Sequence, residues 1–202
     1  MKHIIPAMIL DGIMLAFTPT NFSNCLTETL QTDYNVGLLH ISNGVGAIIG
    51  GFLSGYLSSR IAVIKEGVIL FLFTILTLLL TLLNYFYFFE GLTYPLITTF
   101  LWGISLFFLE GWLFVCCVRL YRGIIESFAV VKQMHTLSFI LFQIYSLLSG
   151  QKVNFFWTIT GIVILAVICL ALSLYLSQKM GVHEELVEEN IENQLDSGSP
   201  EE

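Results

Sequence analysis

Two stretches of this chain, Val68 to Phe89 and Asn154 to Ser177, contain no acidic or basic side chain at all. Each is longer than the roughly 20 residues a helix needs to cross the hydrocarbon core of a bilayer. Four further apolar segments lie between residues 4 and 149, so the sequence predicts a polytopic, all-α membrane protein with six spanning helices. Composition agrees. With 56% hydrophobic and 11% charged residues, a soluble domain would have too little polar surface to face water.

The net charge of −7 comes from the end of the chain, where eight of the 15 acids follow Met180. The expected organisation is therefore a six-helix transmembrane domain over residues 1–180 and an acidic, disordered tail over 181–202. The helices are expected at about His3 to Cys25 (broken by Pro19), Val36 to Leu57, Val68 to Phe89, Tyr94 to Val118, Glu126 to Leu148 and Asn154 to Gln178. Between them the basic residues sort to one side. Lys2, Arg60, Lys65, Arg119, Arg122 and Lys179 fall on one face and Lys152 alone on the other, which places both termini in the cytoplasm. Which membrane the protein occupies does not follow from this pattern.

Several function classes lose support at once. No cluster of Lys and Arg suits nucleic acid. No His or Cys pair has metal-ligand spacing, no glycine loop would cradle a phosphate, and no nucleophile–base pair can be assigned. Catalytic residues, metal and cofactor are therefore all expected to be absent, and the chain is not read as an enzyme. Cys25, Cys116, Cys117 and Cys169 read as small apolar packing residues, with lipidation of Cys116 or Cys117 as the alternative. Met1-Lys2-His3 could open a signal peptide, but Asp11 interrupts the apolar run and no cleavage site follows. Asn21 begins a glycosylation acceptor too close to the membrane to be modified.

The informative residues lie within the helices. Asp11, Glu110, Lys132 and His135 are ionisable positions well inside apolar segments, each costly there without a partner or a water-filled cavity. At about 1.5 Å of rise per residue, Asp11, Glu110 and Lys132 all lie roughly 10 Å from the cytoplasmic helix ends. A cluster among helices one, four and five is thus feasible. It has two readings: Lys132 neutralises Glu110 or Asp11 and pins the bundle, or the group lines a cavity that takes a charged solute or a proton. His135, one turn after Lys132, is either a helix-packing histidine or a proton relay. Helix two carries glycines instead, and the spacings Gly46-x-x-x-Gly50 and Gly51-x-x-x-Gly55 predict close helix packing.

The chain divides as three plus three. Helices three and six carry no interior charge, and Gly12 to Phe17 faintly echoes Gly103 to Phe108. Between helices two and three, Gly55-Tyr56-Leu57-Ser58-Ser59-Arg60 resembles the loop motif G-x-L-a-D-R-x-G-R of the major facilitator superfamily. It keeps Gly55, Leu57 and Arg60, with Ser59 at the acidic position and Ala62 and Val63 at the later glycine and arginine. The segments LWGISLFFLEGW and ESFAVVKQMHTLSFILFQIYSLL resemble the C-terminal half of its Unc-ninety-three-like branch, the potassium-channel-regulator relatives. Glu110 stands at that branch's inward acid, Glu126 to Ala129 at its helix start and Lys132 at its basic position, whereas its following polar positions hold Phe114 and Cys116.

That resemblance implies six helices of a twelve-helix fold and half of a small-solute transporter working by alternating access. Its partners would be the bilayer, a second six-helix half (a missing N-terminal half or a second copy), and a small-molecule solute. The alternative is a non-transporting regulatory subunit of a channel or other membrane protein, and a third reading is a truncated product.

Overall fold

A computed structural model of the chain describes residues 4–18, 33–87, 92–120, 124–149 and 157–175. The described residues form six helices and no strand. They are α1 (Ile5–Phe17), α2 (Asp33–Ser58), α3 (Val63–Tyr87), α4 (Thr93–Leu120), α5 (Ile124–Ser149) and α6 (Trp157–Tyr175). The expected acidic tail and the basic residues Lys2, Arg122, Lys152 and Lys179 lie outside the described residues.

Among the described residues, four segments are long and apolar enough to cross a bilayer: 37–58, 63–83, 93–119 and 157–175. That is fewer than the six spans expected. The described part of α1 has only 13 residues. α5 has 26, enough length, but Glu126, Lys132, Gln133 and His135 interrupt its hydropathy.

Several hydroxyl side chains inside the helices are satisfied locally, as an apolar solvent favours. Thr74, Thr77, Thr81 and Thr98 donate to the carbonyls of Leu70, Phe73, Thr77 and Tyr94, each one turn back, at 2.9–3.0 Å. The threonine stripe of α3 turns toward α4, where Ser105 Oγ donates to Thr77 Oγ1 at 3.1 Å. Nearer the α2–α3 turn, Trp112 Nε1 donates to the Val63 carbonyl at 2.7 Å, and its indole covers Gly67 and meets the Phe71 ring edge-on at 5.4 Å. Any side chain at Gly67 would collide with that indole.

Two helix pairs approach most closely, and both run parallel. In α2 and α4, Ser42 meets Leu96, Asn43 meets Thr99, Gly46 meets Phe100, Gly50 meets Ile104 and Ser54 meets Gly111. A Cβ at Gly46 or Gly50 would run into the Phe100 or Ile104 carbonyl, and one at Gly103 into that of Asn43. Backbone thus packs on backbone, which only glycine permits at this separation. In α1 and α5, Asp11 meets His135, Gly12 meets the His135 carbonyl and Ser138, and Ala16 meets Gln143.

The second glycine pair behaves differently. Gly51 and Gly55, expected to pack, have nothing within 4 Å among the described residues, as do Gly37 and Gly44. The reason is rotational. Gly51 follows Gly50 by one residue, about 100° around the helix, so Gly51 and Gly55 face away from α4.

The core fills the space between α1, α3 and α4. Leu10, Met14, Phe17, Leu70, Phe71, Trp102, Leu109 and Leu113 are fully buried there. Trp102 joins α1 to α4 by donating to Thr18 Oγ1 at 2.7 Å while its ring lies 5.4 Å from that of Phe17. α6 buries one stripe, Ile159, Ile162, Ala166, Cys169 and Ser173, and exposes Ile164, Val167, Ile168 and Tyr175. That division suits a helix with protein on one side and lipid on the other.

Candidate functional site

The fold gathers Asp11, Glu110, Lys132 and His135 from α1, α4 and α5 into one group of two side-chain pairs. Lys132 Nζ lies 2.6 Å from Glu110 Oε1, and His135 Nδ1 lies 2.6 Å from Asp11 Oδ2. Spacing along α5 explains the division. Lys132 and His135 are three residues apart, so both point from one face, toward α4 and α1 respectively. Lys132 could have neutralised either acid, and α4 supplies it.

The two pairs differ in their access to solvent. Asp11 and His135 side chains are 2% and 13% exposed, whereas Glu110 and Lys132 are 25% and 45% exposed. The inner pair is a buried strut between α1 and α5, set beside the Gly12 contact that lets those helices approach. Asp11 Oδ1 has no hydrogen-bond partner among the described residues. The outer pair opens on a polar face of α5, where Gln133 and Thr136 are also exposed. From Ile124 these residues lie about 12–18 Å along the helix. Exposed polar groups there call for water or protein rather than lipid.

Phe114 completes the outer pair. Lys132 Nζ stands 5.0 Å from its ring centroid, and Phe114 itself stacks on Phe128 at 4.5 Å. Where the resembled branch places a polar residue, this chain places an aromatic face under its cation. Cys116 is fully buried on the same helix, as is its neighbour Cys117, so neither thiol is presented for lipidation.

Sequence reasoning missed Glu66. It lies on the buried face of α3 with no exposure, one carboxylate oxygen accepting from Ser54 Oγ at 3.0 Å and the other, Oε2, without a partner among the described residues. Ser54 in turn abuts Gly111 of α4. Starting helix three at Val68 made Glu66 look like a loop residue. Its pairing with a glycine one position on, facing an aromatic across the bundle, was the available signal.

The loop residues are simpler. Arg60 is exposed and sits over the Tyr56 ring at 5.5 Å, with Leu57 closing the turn by accepting from the Arg60 and Ile61 amides at 2.9 Å. No three His, Cys, Asp or Glu side chains converge as metal ligands among the described residues. Comparison with known protein families, characterised proteins and solved structures finds no match to this chain.

Proposed function

We propose that the chain is a six-helix half of a major-facilitator-type transporter of the Unc-ninety-three-like kind, moving a small solute by alternating access. Both termini would be cytoplasmic, and a second six-helix half, from an N-terminal extension or another copy, would close the site. One observation carries the reading. Four ionisable side chains on three helices converge, and the outer two open on a polar face of α5 that lipid would not solvate. A purely structural lock would gain little from an open pair.

The pairing of helices adds support for a three-plus-three repeat. Exchanging α1 for α4 and α2 for α5 turns the α1–α5 contact into the α4–α2 contact, and both are parallel. The same shift along the chain that carries Gly12 to Gly103 carries Ala47 to Ser138, and brings Asn43 to within one residue of His135. Gly12 packs on His135 and Ser138, and Gly103 packs on Asn43 and Ala47. Successive spans alternate in direction, so the two three-helix units would be inverted with respect to the bilayer, as in transporters whose site lies at a repeat interface.

The regulatory-subunit reading keeps one specific support. The outward face of α2 presents Gly37, Gly44, Gly51 and Gly55 with nothing packed on them among the described residues, which suits close approach of another helix. Uptake of charged small solutes into proteoliposomes tests the transport reading. Flux that falls at least tenfold in both Glu110→Gln and Lys132→Met supports it. Flux unchanged in both refutes the site, and association with a channel in the absence of any flux favours the regulatory reading.

A further inference from the structure

Lys132 and Glu110 form a pair that is complete yet open to exchange. Pairs this exposed hold weakly, so a ligand with its own charges can displace one partner from the other. A simple cation pairs with Glu110 but leaves Lys132 without its partner, and a simple anion does the reverse. A molecule with both an ammonium and a carboxylate restores both pairings, exchanging one neutral arrangement for another. We infer that the Glu110–Lys132 pair is the recognition site for a small amine–carboxylate zwitterion.

The surroundings fit the same ligand. The Phe114 ring, stacked on Phe128, forms an aromatic wall beside the pair at 5.0 Å from Nζ, suited to an ammonium or to an apolar substituent. On the buried side, Asp11 Oδ1 is an acceptor without a hydrogen-bond partner among the described residues. The ligand's ammonium pairs with Glu110 and its carboxylate with Lys132.

This inference rests on the transporter reading for its biological sense, but its test measures binding. The full chain in lipid nanodiscs is titrated with two matched sets: L-phenylalanine, phenethylamine and 3-phenylpropionate, then γ-aminobutyrate, butylamine and butyrate. One zwitterion is expected to bind at least tenfold more tightly than either of its singly charged analogues. Glu110→Gln is expected to move the preference to the carboxylate alone, and Lys132→Met to the amine alone. The charge-reversed Glu110→Lys, Lys132→Glu double variant keeps zwitterion binding and guards against a single variant that fails to fold. Equal binding of the singly charged analogues, an unchanged preference in the variants, or no binding by either zwitterion overturns the inference. Zwitterion binding without flux in proteoliposomes would overturn the transport reading instead. Flux of a singly charged solute that disappears in Lys132→Met would keep transport and overturn the ligand class.

Discussion

Replacing His135 by Leu should destabilise the bundle far more than replacing Lys132 by Met, although the two residues are one turn apart. Among the described residues His135 is the sole hydrogen-bond partner of Asp11, whose other oxygen has none, and Asp11 is 2% exposed. Removing the imidazole leaves a buried carboxyl wholly unpartnered, which costs about 3–5 kcal/mol for a broken buried pair. The cost of an aspartate at the centre of a membrane helix, roughly 2.5–3.5 kcal/mol, points to the lower end. About 3 kcal/mol corresponds to a change on the order of 100-fold in the folding equilibrium. Glu110 in Lys132→Met keeps a 25% exposed carboxylate, so that loss should stay below about 1 kcal/mol. Reversible unfolding in bicelles, for example by steric trapping, gives both numbers. The Asp11→Leu, His135→Leu double variant should recover most of the loss, because it removes the stranded group as well as its partner. Similar losses at His135 and Lys132, or a double variant no better than His135→Leu, would refute the assignment of a buried strut and an open pair.

The remaining expectations use the same unfolding assay. Gly46→Val or Gly50→Val should cost about 1–3 kcal/mol by forcing α2 off the α4 carbonyls, while Gly51→Ala should be neutral or gain up to about 1 kcal/mol of helix propensity. Ser54→Ala removes the one donor to Glu66 and should cost about 1–3 kcal/mol, and combining it with Glu66→Leu should recover that loss. Trp112→Phe keeps the ring over Gly67 but loses its hydrogen bond to Val63, a loss of about 1 kcal/mol.

The architecture was legible where hydropathy alone decides. The unbroken runs that became α3 and α6 needed no further information, and the similar depths of Asp11, Glu110 and Lys132 already allowed a cluster. What spacing could not supply was helix rotation. It gave Lys132 two candidate acids without choosing between them, and it treated Gly46-Gly50 and Gly51-Gly55 as equivalent although they lie about 100° apart around α2. Glu66 was lost to a boundary placed five residues late, since α3 begins at Val63. Phe114 was read only as a missing polar group. Its role beside Lys132 depends on how α4 and α5 face each other, which no local pattern records.

The account turns on whether the exposed polar face of α5 meets water inside the membrane. With the native cysteines replaced, Thr136→Cys and Leu141→Cys place one thiol on that face and one at an exposed apolar position on the same helix. Labelling by a membrane-impermeant methanethiosulfonate in intact bilayers reads the difference directly. The account predicts that the thiol at 136 reacts and the thiol at 141 does not. Equal inertness at both positions would contradict it, because the charged cluster would then open on lipid or on a sealed partner instead of a solute pathway.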